Sequence, residues 1–236
     1  MRAARCFGYA ARMLFEELTE VLDPEPHAAA LNMAIDEVLL RTARAPLLRI
    51  YRWARPAVSF GYFVKHAGVA RAWPAHELVR RWTGGGVVPH GDDVTYTLVV
   101  PRGCPFFEMR PAESYRAIHE IIAALLAQDG EPIALAPVAA LKVSDACFEN
   151  AARHDVLAGA RKIAGAAQRR TREGLLHQGS VQASSPAFAE NLALALAGRV
   201  SQRPLAARTL ADAAALAAAK YATPEWTRGI TAPHAG

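Results

Sequence analysis

The sequence predicts an α+β fold, with a single domain in which helices flank a mixed, mostly antiparallel sheet. Stretches with apolar residues at helical spacing alternate with short runs rich in β-branched and aromatic residues. Their order is helix, strands, helix, strands, helices, which differs from the regular strand–helix alternation of a doubly wound fold. The 236 residues contain no internal repeat and no low-complexity linker that would divide them.

The first half of the chain carries one helix followed by strands. Leu31, Ile35, Val38 and Leu39 recur at helical spacing within residues 27–44. The triple glycine at residues 84–86 must be a loop between strands, and we expect Gly61 to form a bulge. Strands are predicted at residues 47–53, 57–63, 77–82, 87–89 and 94–100.

The second half begins with a strongly amphipathic helix at residues 114–126. Short strand-like runs at residues 156–157, 162–168 and 175–181 follow, and the turns between them indicate a meander. The C-terminal third is rich in Ala and Leu, which predicts helices at residues 186–196 and 205–221. We predict that helices begin at Pro204 and Pro224.

Composition excludes several classes of protein. Hydrophobic residues make up 52% of the chain and charged residues 21%, which argues against intrinsic disorder. No apolar run approaches the roughly 18 residues that cross a bilayer. The net charge of +5 and the pI near 9.4 favour an acidic partner, such as a nucleotide, nucleic acid or acidic protein, although solvated arginines explain the same excess.

The three cysteines, Cys6, Cys104 and Cys147, are few and far apart. Their spacing fits no zinc site, so we predict no metal and a reducing, cytoplasmic location. Residues 1–12 are basic and lack the apolar region of a secretory signal. They fit either a targeting segment or an over-extended start.

Three segments carry candidate chemistry. In residues 80–90 two arginines precede the triple glycine and His90 follows it, which favours an anion- or nucleotide-binding loop over a flexible hairpin. Lys162 stands in a run that reads as a half-buried strand, where a lysine needs a paired anion unless it faces solvent. The third segment, residues 175–180, places His177 and Gln178 either in the same cavity or at an exposed strand end.

Together these segments resemble the biotin/lipoate protein ligase catalytic domain family, in its branch of lipoate-protein ligase A and octanoyltransferases. Residues 80–90 match the pattern RRxTGGGxVxH, and residues 160–168 match GRKIxGxAQ with Ala160 in place of the first glycine. Residues 31–37 resemble the opening helix of the family, and residues 49–61 its first strand pair. The resemblance runs from Leu31 to about Trp226, and we place the catalytic domain at residues 27–230 after an extension at residues 1–26.

The resemblance implies a fold like that of class II aminoacyl-tRNA synthetases and a set of site residues. Lys162 would contact the acyl carbonyl or the carboxylate of the substrate, where an ammonium stabilises developing negative charge. His90 would lie near the reacting centre, and Arg80 and Arg81 near the anionic end of the substrate. The remaining residues of the implied acyl or acyl-adenylate pocket are Thr83, Gly84, Gly85, Gly86, Gly165, His177, Gln178 and Gly179.

Two reactions use this scaffold, and the residues leave both open. One class of octanoyltransferase forms a cysteine thioester on a Cys-Phe pair before the lysine motif, and Cys147-Phe148 stands 15 residues before Lys162. A thiolate near an ammonium gains nucleophilic character, whereas a buried free thiol is more often a packing residue. ATP-dependent lipoate ligases carry an Arg-Asn-Asp-Leu segment instead, which residues 153–156 resemble with His154 in place of Asn.

We favour the cysteine route, because the chain leaves little room after Trp226 for the accessory domain of many ligases. This route implies octanoyl-acyl carrier protein as donor and no tightly bound cofactor, whereas a ligase would use ATP, Mg²⁺ and lipoate. The implied acceptors are lipoyl-domain proteins, namely the glycine cleavage H protein and the E2 subunits of 2-oxoacid dehydrogenases. We expect a monomer without a membrane or nucleic-acid partner. A non-catalytic nucleotide- or nucleic-acid-binding module on the same scaffold is the competing interpretation.

Overall fold

The computed structural model describes residues 13–127, 132–139, 151–182 and 187–229. In chain order, the strands within these residues are β1 (Phe15–Leu22), β2 (Leu47–Tyr51), β3 (Ala57–Phe60), β4 (Glu77–Arg80), β5 (Val87–His90), β6 (Val94–Pro101), β7 (Ile133–Leu135), β8 (Val156–Ala158), β9 (Arg161–Arg170), β10 (Gly174–Val181) and β11 (Ala197–Pro204). The helices are α1 (Ala29–Thr42), α2 (His66–Ala72), α3 (Pro111–Leu126), α4 (Ala187–Leu196), α5 (Ala207–Leu216) and α6 (Pro224–Arg228).

Two sheets organise the described strands. The main sheet has the order β11-β1-β2-β6-β10-β9-β8-β7, and the smaller sheet has the order β4-β3-β5. In the main sheet β1 runs parallel to β2 and β11, while the other neighbouring strands are antiparallel. This confirms the predicted α+β class with a mixed, mostly antiparallel sheet. Within the described residues no helix has the length and apolarity needed to cross a bilayer.

Helices cover both faces of the main sheet. One apolar core lies under α3 and α4, and the other lies under α1 and α5. The central strand β10 is therefore buried at every position. Because side chains alternate along a strand, Leu175 joins the core under α3 while Leu176 joins the core under α1.

Several predicted elements are confirmed at nearly their predicted bounds. Both amphipathic helices form, as α1 and α3. The three short runs of the second half form β8, β9 and β10, which are antiparallel neighbours as a meander requires. Pro224 begins α6, and the Thr223 side chain before it caps the helix by accepting a hydrogen bond from the Trp226 N–H.

Three of the described strands are missing from the sequence prediction, namely the short strand β7 and the longer strands β1 and β11. The C-terminal third is not wholly helical, because β11 follows α4 directly and pairs with β1. Phe15–Leu22, within the range set apart as an extension, lies inside the main sheet. Neither β1 nor β11 has an alternating pattern. β11 is mostly exposed, and the buried residues of β1 are three positions apart, at Phe15, Leu18 and Val21.

Candidate active site

A narrow cleft lies where the main sheet meets the smaller sheet. The empty space within it, counting the open space at its mouth, is about 400 Å³. Its walls are mostly apolar. The predicted site residues that line it are Arg81, Gly85, His90, Gly165, Gln178 and Gly179.

Backbone hydrogen bonds hold the glycine loop against the end of β3. The Gly61 N–H donates to the Gly86 carbonyl (3.0 Å), and the Tyr62 N–H donates to the Thr83 carbonyl (2.9 Å). A Cβ on Gly61 would lie 2.1 Å from the Gly85 carbonyl oxygen. Gly61 therefore permits a close approach of two backbones and does not form the expected bulge. Gly85 has a φ of 85°, a conformation that favours glycine.

The two arginines before the loop point to different places, as successive residues of an extended chain do. Arg81 lines the cleft and donates to the Ser59 hydroxyl (2.7 Å) and to the carbonyls of Gly84 (3.1 Å) and Gly86 (2.9 Å). Arg80 does not line the cleft. Its guanidinium donates to the backbone carbonyls of Tyr62, Val64, Trp226 and Thr227.

Lys162 lies beside Gly165, a residue that lines the cleft. Its side chain is buried on β9, and its Nζ lies 2.7 Å from Oδ2 of Asp155. A Cβ at position 165 would lie 2.6 Å from that Nζ, so the glycine provides the space for the lysine. The carboxylate is the paired anion that a buried ammonium requires.

Asp155 was not among the predicted site residues. It is fully buried and accepts hydrogen bonds from the Tyr115 hydroxyl and from the Ala152 N–H (2.6 Å) as well as contacting Lys162. Burial, and then the charge of Asp155, raises the pKa of Tyr115 well above its ordinary value, so the hydroxyl stays protonated and donates. The sequence indicates Asp155 through residues 153–156, which resemble the Arg-Asn-Asp-Leu segment of the ligases.

His154 has a φ of 72°, in the left-handed region that Asn and Asp enter more readily than most residues. The matching position of the ligase segment that it resembles carries Asn. Histidine is also enriched in this conformation, so His154 can occupy the turn that the Asn of the ligase segment would form.

His90 is fixed from three sides. Its Nε2 lies 2.6 Å from the Ser59 hydroxyl oxygen, its Nδ1 lies 2.9 Å from Oδ2 of Asp93, and Trp53 stacks on its ring at 4.1 Å. Burial lowers the pKa of His90, although Asp93 opposes this. The imidazole is therefore neutral at pH 7. Ser59 and Asp93 were not predicted, since their contact with His90 depends on the pairing of β3 with β5 and on the loop before β6.

Gln178 joins the cleft wall to a buried ionic network. Its Nε2 donates to Oδ2 of Asp36 (2.7 Å), and its Oε1 accepts from the Thr83 hydroxyl (2.8 Å). Asp36 in turn pairs with the fully buried Arg49 (2.7 Å). Thr83 thus does not line the cleft itself but holds the side chain of Gln178, which does.

His177 lies on the opposite face of the main sheet from Gln178, because side chains alternate along β10. Its Nε2 is 2.9 Å from the Tyr96 hydroxyl, and its Nδ1 is 3.0 Å from Nε2 of Gln168. Burial lowers the pKa of His177 well below its ordinary value. The expectation that His177 shares a cavity with Gln178 does not match this placement.

Cys147 and Phe148 lie outside the described residues, and so does Cys6. Cys104 is a partly buried free thiol that packs against the core under α3. In the part of the chain that the structure describes, no group of three or more His, Cys, Asp or Glu residues is placed to hold a metal ion.

Comparison with known proteins identifies related sequences. The family model described as the lipoyl protein ligase A/B catalytic domain matches residues 28–203. The chain is 36% identical over 172 residues to octanoyltransferase LipM of Oceanobacillus iheyensis, which covers 69% of this chain and 63% of the relative. It is 34% identical over 169 residues to octanoyltransferase LipM of Moorella thermoacetica, covering 64% and 59%. The matched part thus spans about three fifths of the length of these relatives.

A solved structure shares the fold. The protein Ta0514 from T. acidophilum, described as a putative lipoate protein ligase with bound lipoic acid, superposes with a TM-score of 0.72. The match covers 91% of this chain and 99% of that chain at 21% sequence identity. This agrees with the biotin/lipoate ligase fold that the sequence patterns imply.

Proposed function

The chain belongs to the lipoyl protein ligase A/B catalytic domain family, and on that premise we propose that it transfers an octanoyl group from octanoyl-acyl carrier protein to a lysine of a lipoyl domain. The observation that carries the proposal is the buried Lys162–Asp155 pair, which lies directly beside Gly165 in the wall of a narrow apolar cleft. It supplies a fixed positive charge next to space for an acyl chain. We further propose that the reaction takes place in the cytoplasm.

Lys162 would act on the acyl oxygen. Attack on a thioester carbonyl places negative charge on that oxygen, and an ammonium already in position stabilises the charge without reorganisation. Asp155 positions the ammonium, and it is itself held by the Tyr115 hydroxyl and the Ala152 N–H. Gly165 keeps the approach to Lys162 open, since any side chain there would collide with it.

The acyl chain would lie along the apolar walls of the cleft. Burial of each methylene contributes about 0.8 kcal/mol, so a chain of eight carbons binds more tightly than a short one. A narrow cleft also excludes bulky acyl groups. The apolar side chains available for this contact are Met33, Tyr51, Trp53 and Val88.

Cys147 would carry the acyl group between donor and acceptor. Its thiolate attacks the donor thioester, the acyl group moves to Sγ, and the carrier leaves as a thiol. The amine of the acceptor lysine then attacks the enzyme thioester, forming an amide and restoring the Cys147 thiol. The sequence supports this role: Cys147 stands four residues before Ala151, a distance that extended chain spans in at most about 14 Å.

A basic groove beside the glycine loop suits acidic protein partners. Trp82, which precedes the loop, lines it together with Arg41, Arg169, Arg170 and Arg172. Positive charge on one rim accelerates encounter with acidic surfaces. We propose that acyl carrier protein and the lipoyl domains of the glycine cleavage H protein and of E2 subunits approach here, to a monomeric enzyme.

ATP-dependent lipoate ligation through lipoyl-adenylate is the second candidate. It is favoured by residues 153–156, which resemble the ligase segment and include Asp155 next to Lys162. In this reaction Lys162 would contact the carboxylate of lipoate, and ATP with Mg²⁺ would be consumed.

Intact mass spectrometry separates the two candidates. Wild type and Cys147→Ala are incubated with octanoyl-acyl carrier protein without ATP, with Cys104→Ala as the matched cysteine control. The proposal expects a hydroxylamine-labile octanoyl adduct on wild type and on Cys104→Ala, and none on Cys147→Ala. An absent adduct, followed by ATP-dependent lipoylation that Cys147→Ala still performs, would establish the ligase and reject the thioester route.

A further inference from the structure

A second potential nucleophile lines the same cleft. Ser59 on β3, His90 at the end of β5 and Asp93 in the loop before β6 form a continuous chain of hydrogen bonds, with distances of 2.6 Å and 2.9 Å. Ser59 and His90 face the cleft, and all three side chains are almost completely buried. A hydroxyl, an imidazole and a carboxylate in this order are the parts of an acyl-transfer triad.

The directions of the hydrogen bonds follow from the outer partners. An ionised Asp93 can only accept, so the His90 proton lies on Nδ1 and Nε2 is an acceptor. Arg81 can only donate, and its Nη1 donates to Ser59 Oγ (2.7 Å). The hydroxyl proton of Ser59 is therefore directed at His90 Nε2, as nucleophilic activation of a serine requires.

Asp93 is held ionised and in place. Burial alone would raise its pKa, but hydrogen bonds from His90, Ser180 and the Gly91 N–H lower the pKa to about 2. The Thr95 hydroxyl also donates to its Oδ2 (2.9 Å). The orientation of the imidazole is thus fixed before any substrate enters.

We propose that Ser59, activated by His90 and positioned through Asp93, is a second acyl acceptor that gives this protein a medium-chain ester hydrolase activity independent of Cys147. The Ser59 oxygen attacks the ester carbonyl while its proton moves to His90 Nε2. The alcohol leaves with that proton, and the acyl group stays on Ser59 as an ester. Water then attacks this ester with His90 as base, releasing the fatty acid and restoring the hydroxyl. Arg81 stabilises charge on Ser59 Oγ in both steps.

The test uses the Cys147→Ala full-length chain, in which the thioester route is removed, with p-nitrophenyl octanoate as substrate. We expect hydrolysis above background that falls at least 100-fold when Ser59→Ala or His90→Phe is added. Ser201→Ala, a serine on the exposed strand β11, is the matched control and should leave the rate unchanged. Asp93→Asn should move the His90 proton from Nδ1 to Nε2, which ¹⁵N NMR of labelled histidine reports.

A covalent probe keeps the proposal testable if the Ser59→Ala variant does not fold. Diethyl p-nitrophenyl phosphate should add one diethylphosphoryl group to Cys147→Ala, on the peptide that contains Ser59. Folded Cys147→Ala without hydrolysis and without this adduct would overturn the proposal, as would an unchanged rate in the Ser59→Ala double variant. Octanoyl transfer by wild type is measured separately, so failure of either proposal is recognised independently.

Discussion

Two buried ion pairs lie on opposite faces of the main sheet and differ in what surrounds them. On the α1 face, Arg49 donates to Asp36 (2.7 Å), Asp23 (2.8 Å) and the Asn32 side chain (2.6 Å), so each of its three nitrogens has a partner. On the α3 face, Lys162 pairs with Asp155 directly beside the small residue Gly165 at the cleft.

Burial of a charge therefore does not by itself indicate a functional site. Asp36 accepts from Arg49 and from three neutral donors, so its carboxylate oxygens are already bonded to protein groups. The Lys162–Asp155 pair is equally buried, but it lies directly beside Gly165, which lines the cleft. We therefore propose that the residues around each pair, and not its burial, separate the structural pair from the catalytic one.

Removal of the guanidinium on the α1 face tests the structural half of this comparison. Arg49→Met leaves Asp23 and Asp36 buried without their cation, which costs about 3–5 kcal/mol of unfolding free energy. Urea denaturation measures the loss. The matched control is Arg199→Met, which breaks an exposed pair with Glu17 and should cost below about 1 kcal/mol. Equal losses in the two variants would contradict the structural role of the Arg49 network.

Removal of the Lys162 ammonium on the α3 face should lower the rate of catalysis more than the free energy of unfolding. Lys162→Gln is expected to lower octanoyl transfer by about 10²–10³-fold. Asp155 keeps two other donors, so the urea midpoint should fall less than in Arg49→Met. The matched control is Lys220→Gln, since Lys220 also pairs with a buried carboxylate, that of Glu37 (2.7 Å), but packs on Trp82 and Trp226 and not on a residue that lines the cleft. If Lys162→Gln retains full transfer, its ion pair is structural like that of Arg49.

Acid should weaken the α3 face through His119, which packs on Tyr115 and donates to the His154 carbonyl (2.7 Å). Burial lowers the pKa of His119 to about 4. Between about pH 6.5 and pH 4 the unfolded chain binds a proton that the native chain does not. The free energy of unfolding therefore decreases by about 3 kcal/mol in total as the pH is lowered through this range. His119→Asn retains a hydrogen-bond donor but cannot titrate. In this variant the urea midpoint should depend less on pH than in wild type. An unchanged slope in this variant would show that other groups control acid stability.

The sequence indicated the parts of the candidate site that are contiguous in the chain. The glycine loop and Lys162 stand in local patterns, and their strands follow from β-branched and small residues. Contacts between distant segments do not follow from local patterns of residues. Asp155 meets Lys162 through a strand pairing that contains a bulge, and Ser59 meets His90 through the register of β3 and β5.

The same limit explains His177. Its neighbour Gln178 lines the cleft, but a shift of one residue along a strand reverses the face, and the motif does not state which face meets the cleft. Among the strands, β11 has one central apolar residue, Val200, so it lacks the alternation of apolar residues by which a strand is predicted.

The parallel pairing of β1 with β11 bears on how this chain folds as it is made. Thr19 and its partner Ser201 are separated by 182 residues, so a ribosome adding about 5–20 residues per second finishes β11 some 10–35 s after β1. During that interval β1 can pair with β2 on one side only, and its other side remains open to chaperones or to neighbouring nascent chains. Slow decoding near residue 200 would therefore lengthen the aggregation-prone period, and rapid decoding there would shorten it.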